Sequence, residues 1–170
     1  MKIDFNKKKG FICDMDGVLY HGNRVLPGAV EFIQWLQREK KEYLFLTNNS
    51  GMTPRELGQK LERMGLKVPE EHFYTSALAT AEFLKAQAPG CSAFVIGEAG
   101  LLNALYDAGI TMNDVNPEYV VIGEGRTYSL DTLTRAVNLV LGGAKLIGAN
   151  SDVSGNIECG IAPACRALTS

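Results

Sequence analysis

The sequence predicts an α/β protein built on parallel strands covered by helices. Short apolar runs alternate along the chain with segments whose apolar residues recur at helical spacing. A strand, a helix and a second strand in succession form a right-handed parallel crossover. With 46% apolar residues in a chain of 170, there is enough hydrophobic material for a sizeable core. We therefore expect parallel sheets rather than an all-helical or all-β fold.

The N-terminal half contains the elements of a first parallel sheet. We expect a buried strand from Phe11 to Cys13 and a second buried strand from Tyr43 to Leu46, with a crossover helix over residues 28–40 between them. Thr53 and Pro54 carry the signature of a helix start. A short strand over residues 72–75 and a helix over 77–87, with Ser76 as its N-cap, complete this half.

The C-terminal half repeats the strand and helix alternation after the break at residues 88–90. Ala93 to Gly97 and Tyr119 to Gly123 are predicted strands, each followed by a helical pattern, and Lys145 to Gly148 is a third strand. The helical apolar positions are Leu101, Leu102 and Leu105 after the first strand, and Leu130, Leu133 and Val137 after the second. The predicted domains are therefore residues 1–88 and residues 89–170, the second a smaller α/β module.

Two aspartates follow the first predicted strand, one residue apart. Because residues two apart share a face of a strand, Asp14 and Asp16 should project together where the backbone leaves the sheet. Gly17 permits a sharp turn there. One carboxylate can act as a nucleophile and its neighbour can handle protons, which suits phosphoryl transfer with a divalent cation such as Mg²⁺. A polar turn that merely ends the strand is the alternative.

Small polar residues also follow the second predicted strand. Thr47, Asn48 and Asn49 supply hydroxyl and amide groups that can bind phosphate oxygens. In a parallel sheet the carboxyl ends of both strands open on the same crevice. Ordinary loop composition remains the alternative for this segment.

Taken together, these motifs resemble the NagD-like branch of the haloacid dehalogenase (HAD) superfamily. The resemblance runs from about Gly10 to the last residue. It rests on an ordered set of segments: Asp14 to Tyr20, Pro27 to Ala29, Leu46 to Ser50, Tyr74 to Ala77, Val95 to Glu98, Asp114 to Pro117 and Val121 to Glu124. It implies a HAD-like Rossmannoid parallel sheet with an inserted α/β cap domain. Residues 1–88 would then be the N-terminal part of the catalytic core, and residues 89–170 the cap.

The resemblance also implies roles for individual residues. Asp14 would be phosphorylated and Asp16 would be the general acid and base, while the carboxylate of Asp14 and the backbone carbonyl of Asp16 hold Mg²⁺. Thr47, Asn48 and Asn49 would bind the transferring phosphoryl group. The implied activity is hydrolysis of phosphomonoesters through an aspartyl phosphate.

The cap implied by the resemblance would bring two loops to the substrate. We expect Glu124 and Arg126 from one loop and Asp152 from the other to contact the substrate. Glu124 and Arg126 favour a nucleoside monophosphate such as UMP over other small phosphometabolites. An exposed arginine at a helix entry is the alternative for Arg126. For the activity, the alternatives are a phosphotransferase or mutase of the same superfamily and a non-catalytic binding module.

The sequence departs from the family pattern after the cap. The family places a lysine and then a Gly-Asp segment with acidic metal ligands there, and neither Lys145 nor Asp152 has the context for these roles. We therefore expect the 170 residues to be a fragment whose core lacks further strands. The strand that carries Asp14 would then be an exposed hydrophobic edge.

The net charge and the spacing of the cysteines indicate which partners, metal and cellular compartment to expect. A net charge of −2 predicts no nucleic-acid partner, and no apolar stretch predicts a membrane span. The four cysteines lack a Cys-x-x-Cys pair, which argues against zinc and for reduced thiols in the cytoplasm. His21 lies near the acid pair, although a surface loop residue is its simpler interpretation. A small phosphorylated metabolite is the predicted partner, and the oligomeric state is open.

Overall fold

The computed structural model describes residues 4–126, 128–157 and 160–170. The chain forms two compact units, which we call the first and second unit. The first comprises Met1–Thr47 and Pro54–Tyr74, and the second comprises Asn48–Thr53 and Thr75–Ser170. This division differs from the predicted boundary at residue 88, because residues 75–88 group with the second unit. The identification of residues 1–88 as part of the core and residues 89–170 as the cap stays a prediction.

The first unit contains a sheet of three strands in the order β1, β4, β5. Strands β1 and β4 are parallel, and their register pairs Gly10 with Glu42 and Asp14 with Leu46. The elements are β1 (Gly10–Asp14), β2 (Tyr20–His21), β3 (Arg24–Val25), α1 (Ala29–Arg38), β4 (Glu42–Thr47), α2 (Pro54–Arg63) and β5 (Phe73–Thr75). The β2–β3 hairpin was not predicted from the sequence.

Strand β1 lies at the edge of this sheet within the described part of the chain. Ile12 is 72% exposed and Cys13 is half-buried, so the first expectation of a buried strand was wrong, while the expectation of an exposed hydrophobic edge agrees with the structure. The apolar composition of β1 was correctly interpreted as a strand, but burial also requires a neighbour on each side. The buried strand of the first unit is instead β4, where Phe45 is fully enclosed.

The second unit is built on a parallel sheet in the order β7, β6, β8, β9. The register aligns Ile96 with Ile122 and Ile122 with Gly148, so that three strands end at one level. The elements are α3 (Ser76–Gln87), β6 (Ser92–Ile96), α4 (Ala99–Asp107), β7 (Thr111–Met112), β8 (Tyr119–Ile122), α5 (Leu130–Leu141), β9 (Lys145–Gly148), β10 (Ser154–Ile157), β11 (Gly160–Pro163) and α6 (Cys165–Thr169).

Two details of the second unit correct the sequence predictions. Helix α3 is capped by Thr75, whose hydroxyl accepts a hydrogen bond from the Leu78 N–H at 3.2 Å, and not by Ser76. Helix α5 exists as predicted, but Leu130 and Val137 are 78% and 58% exposed. Helical spacing therefore identified this helix without identifying which of its faces is buried.

Two further features of the described residues are the lengths of their helices and the state of their cysteines. None of the helices described is long and apolar enough to cross a bilayer. Cys13, Cys91 and Cys165 are free thiols, and Cys159 lies outside the described residues.

Candidate active site

The two aspartates stand where strand β1 ends and the chain turns. Met15, between them, is fully buried, while Asp14 and Asp16 are exposed. This is the alternation expected for extended backbone, so both carboxylates project away from the core. The turn depends on Gly17, whose φ of +76° is costly for any residue with a Cβ, and it closes with a 2.7 Å hydrogen bond from the Gly17 N–H to the Tyr20 carbonyl.

Tyr20 lies beside the second aspartate, with which it forms an isolated β-bridge. Its ring is 5% exposed, and burial raises the pKa of its phenol to about 12, with further contributions from the charges of Asp16 and then Asp14. The ammonium group of Lys60 lies 4.3 Å from the centroid of the Tyr20 ring. Tyr20 was not among the residues selected from the sequence.

His21 lies beside the second aspartate. Its Nδ1 atom is 3.7 Å from the Asp16 Oδ1 atom, and both side chains are 55% exposed. The two form an ion pair only when the imidazole is protonated. Because both groups are well solvated, such a pair contributes little stability.

Thr47 ends strand β4 at the same edge of the first sheet. Asp14 pairs with Leu46 across the parallel ladder, so Thr47 is one residue beyond the level of Asp14. Its side chain is half-buried. The arrangement within the first unit therefore agrees with the rule that parallel strand ends gather polar residues.

The chain passes from the first unit to the second directly after Thr47. In the second unit the segment that follows is held tightly at the strand ends. Ser50 is fully buried, and its hydroxyl accepts a 2.7 Å hydrogen bond from the Glu124 N–H. The Gly100 N–H donates to the Gly51 carbonyl at 2.9 Å, and a Cβ added to Gly100 would lie 2.6 Å from the carbonyl carbon of Met52.

Asn48 and Asn49 both have hydrogen-bond partners within the second unit. The Asn48 side-chain amide donates to the Asp152 Oδ2 atom at 2.8 Å, and its backbone carbonyl accepts from the Ser76 hydroxyl at 2.7 Å. The Asn49 Oδ1 atom accepts from the N–H groups of Gly51 and Met52, each at 3.0 Å. These bonds fix the local conformation of the segment.

Glu124 is half-buried in the same network. Its Oε1 atom accepts a 2.9 Å hydrogen bond from the Asn150 side-chain amide. Burial raises the pKa of the Glu124 carboxyl group, the bond from Asn150 opposes this shift, and the neighbouring Asp152 and Glu98 charges add to it. Arg126 is exposed, and its backbone N–H donates to the Glu98 Oε1 atom at 3.0 Å.

The structure thus groups the predicted site residues in two sets. Asp14, Asp16 and Thr47 belong to the first unit, and the other predicted residues to the second. Within the second unit, Asn150 connects Asn48, Glu124 and Asp152. Sequence reasoning missed Asn150, although it lies two residues after β9. Polar residues gather where parallel strands end, and this rule, which was applied to Thr47 at the end of β4, applies to Asn150 as well.

The acid pair is compatible with Mg²⁺ by the chemistry of its donors. Within the described residues, no group of three or more histidine, cysteine or acidic side chains is arranged to hold a metal. Mg²⁺ prefers hard oxygen ligands and usually retains several waters, so that one or two carboxylates are enough. Asp14 and Asp16 supply such oxygens from exposed positions.

A separate surface groove of about 530 Å³ lies in the second unit beside α5. Asp114 and Arg135 form an ion pair of 3.1 Å at its wall. The groove contains none of the predicted site residues.

Comparisons with known proteins agree with the fold and the motifs. Dihydroxyacetone phosphatase of Corynebacterium glutamicum is 49% identical over 154 residues, covering 91% of this chain and 56% of the relative. Ribonucleotide monophosphatase NagD of Escherichia coli is 43% identical over 160 residues, covering 94% of this chain and 62% of NagD. The chain therefore spans less than two thirds of the length of these relatives.

A solved structure and a family model complete the comparison. The crystal structure of 4-nitrophenylphosphatase from Thermotoga maritima superposes with a TM-score of 0.89 at 30% identity, covering 96% of this chain and 63% of that protein. The model of the haloacid dehalogenase-like hydrolases matches residues 11–111, which is more than half of the chain. The chain therefore belongs to the haloacid dehalogenase-like hydrolase family, in agreement with the NagD-like motifs of its sequence.

Proposed function

We propose that the protein is a Mg²⁺-dependent phosphomonoester hydrolase that works through an aspartyl phosphate on Asp14. The observation that carries this proposal is the acid pair at the end of β1, where Asp14 and Asp16 are exposed on either side of the buried Met15. Family membership supports it, since relatives that are 49% and 43% identical to this chain are named phosphatases.

In the first chemical step, an Asp14 carboxylate oxygen attacks the phosphorus of the ester. The bond between phosphorus and the ester oxygen breaks as the new bond to Asp14 forms. Asp16, in its protonated form, gives its proton to the departing oxygen, so that the leaving group departs as a neutral alcohol. The exposure of both side chains leaves them accessible to a substrate.

In the second step, a water molecule attacks the phosphorus of the aspartyl phosphate. Asp16, now a carboxylate, removes a proton from this water, and the bond between phosphorus and the Asp14 oxygen breaks. Inorganic phosphate leaves, and both aspartates return to their starting protonation states. The two steps thus use Asp16 first as an acid and then as a base.

The proposed Mg²⁺ ligands are the Asp14 carboxylate and the backbone carbonyl of Asp16. When bound, the ion would neutralise negative charge on the carboxylate and the phosphate oxygens. Thr47, Asn48 and Asn49 are the proposed phosphate-binding residues, because hydroxyl and amide donors suit phosphoryl oxygens.

Residues 89–170 are the proposed cap, and Glu124, Arg126 and Asp152 are its proposed substrate-binding residues. The exposed Arg126 can pair with an anionic group or stack on a nucleobase. We propose a UMP-like nucleotide as substrate, supported by the similarity to NagD. The similarity to a dihydroxyacetone phosphatase makes a small carbohydrate phosphate the competing candidate. We place this activity in the cytoplasm.

The test is phosphate release by the purified full-length protein from UMP, dihydroxyacetone phosphate and 4-nitrophenyl phosphate. We expect release that requires Mg²⁺, stops with a chelator and is fastest with UMP. Faster release from dihydroxyacetone phosphate would replace the nucleotide assignment. Transfer to an added alcohol in place of release would indicate a phosphotransferase. If no release or transfer occurs and beryllium fluoride does not bind, the proposal is wrong.

A further inference from the structure

Asn150 occupies the centre of the hydrogen-bond network in the second unit. Its side-chain nitrogen donates to the Asn48 backbone carbonyl at 3.0 Å and to the Glu124 Oε1 atom at 2.9 Å. Its side-chain oxygen accepts from the Asp152 N–H at 3.0 Å. Both hydrogens of the amide and one lone pair are thus engaged. Turning the amide over would place its oxygen against two acceptors, so the orientation is determined by its partners.

The network holds Asn48 at two points of the residue. Asn150 binds the backbone carbonyl, and the Asp152 carboxylate accepts from the side-chain amide at 2.8 Å. Asp152 is itself oriented by the bond from its N–H to Asn150. Because an amide group is planar, fixing one hydrogen of the Asn48 amide also fixes the direction of the other.

The next residues of the segment are held from the end of strand β8. The Glu124 N–H donates to the buried Ser50 hydroxyl at 2.7 Å. Glu124 therefore links Ser50 through its backbone and Asn150 through its side chain. Residues that follow β8 and β9 together fix the segment Asn48–Met52.

We propose that Asn150 is a positioning residue that sets the orientation of Asn48 and keeps the Asn48–Met52 segment rigid for phosphate binding. The phosphate role rests on the proposed function, in which Asn48 binds the phosphoryl group. A donor that is held in place before the ligand arrives loses little conformational entropy on binding and needs no reorganisation. Asn150 acts through Asn48 and does not itself contact the substrate.

The test compares Asn150→Asp with a matched change in another loop of the same unit. Asn150→Asp removes two donors and places a second carboxylate beside Glu124. The control is Asn113→Asp, because the Asn113 amide also has three bonds: it donates to the Asn116 carbonyl and accepts from the N–H groups of Val115 and Asn116. Asn150→Ala, which adds no charge, serves if the aspartate variant does not fold.

Two quantities are measured on the full-length protein with Mg²⁺: orthophosphate affinity by calorimetry, and amide hydrogen exchange at Gly51 and Met52 by NMR. We expect the Asn150 variants to bind orthophosphate about tenfold more weakly and to exchange these amides faster. We expect Asn113→Asp to match the wild type in both. A role in stability alone would lower the melting temperature and leave the orthophosphate affinity unchanged.

The outcomes separate this proposal from the proposed function. Unchanged exchange in both Asn150 variants overturns the positioning role, and so does unchanged orthophosphate affinity. If the wild type fails to bind orthophosphate, the proposed function fails. The exchange comparison then decides alone whether Asn150 orders the segment.

Discussion

The acid pair of the first unit and the polar network of the second unit differ in how their side chains are engaged. Asp14 accepts a bond from the N–H of its own neighbour, Met15, and Asp16 faces only the solvated His21 among the partners described. In the network, Asn150 binds residues 26 and 102 positions away in the chain. The exposed groups are available to a ligand, while the connected groups stabilise one another.

Because of this difference, substitutions in the two regions should affect different properties of the protein. A change in the acid pair removes chemistry and leaves packing intact, because these side chains are exposed. A change in the network disturbs geometry that several residues share, so its effects on binding and stability are coupled.

The largest effect should come from Asp14→Asn. An amide cannot serve as the nucleophile, so we expect phosphate release to fall by at least about a thousandfold. The melting temperature should stay close to that of the wild type. Steady-state assays and thermal unfolding measure the two quantities. Glu62→Gln, a carboxylate replacement on the exposed side of α2, should leave both unchanged. Wild-type turnover by Asp14→Asn would rule out this nucleophile.

Asp16→Asn should lower turnover by about a hundredfold to ten-thousandfold, the usual range for losing a general acid or base. A good leaving group needs little protonation, so 4-nitrophenyl phosphate should still phosphorylate Asp14 while hydrolysis stalls. Rapid-quench kinetics should therefore show a burst of nitrophenol followed by a slow phase. A uniform slowing of both phases would assign Asp16 a different role.

Gly100 packs against the Asn48–Met52 segment, and Gly100→Ala should destabilise the protein by about 1–3 kcal/mol, the typical cost of overpacking. The added Cβ would lie 2.6 Å from the Met52 carbonyl carbon and 2.7 Å from the Ser50 carbonyl oxygen. Urea unfolding measures the change in free energy. Gly155→Ala is the matched control, since a Cβ there meets no atom within 4 Å. Equal losses of unfolding free energy in the two variants would contradict the close packing of Gly100 against the Asn48–Met52 segment.

The acid pair can also be probed through Tyr20 without any substrate. Removing the charge of Asp16 should lower the pKa of Tyr20 from about 12, because that charge raises it. The pKa should stay above 10.0, since burial is the largest cause of the shift. NMR titration of the labelled ring follows this change. Asp4→Asn should have no effect, and an unaltered Tyr20 pKa in Asp16→Asn would place Asp16 elsewhere.

The smallest expected effect is on how the unfolding free energy depends on pH when Glu124 is replaced. Its folded-state pKa is raised above the ordinary value of 4.5, so the folded protein binds more protons than the unfolded chain just above that pH. Stability therefore falls as pH rises through this window. Glu124→Gln removes the titrating group, and its unfolding free energy should depend less on pH there. Identical pH profiles from urea unfolding would contradict the raised pKa.

Much of the fold could be predicted because local patterns determine it. Strand Lys145–Gly148 was predicted with the bounds that the structure shows. The joint projection of Asp14 and Asp16 follows from the alternation of extended backbone, and the buried Met15 between them shows it. Such features depend on residues that are close in the chain.

The errors concern features that depend on distant neighbours. From its own apolar residues strand β1 was expected to be buried, but burial depends on sheet order, and only the resemblance to the family indicated an exposed edge. Thr75 and Ser76 both carry hydroxyl groups, and Thr75 caps α3 because its backbone is extended at the end of β5. Asn150 was overlooked because its partners are set by the register of β9 against β8.

The most direct test of the central claim is to locate the phosphoryl group during turnover. The full-length protein is mixed with Mg²⁺ and 4-nitrophenyl phosphate, quenched, and reduced with borohydride, which converts an aspartyl phosphate to homoserine. Peptide mass spectrometry then identifies the modified residue. We expect homoserine at position 14 in the wild type and in Asp16→Asn. Modification at another residue, or turnover with an unmodified Asp14 under these conditions, would contradict the account.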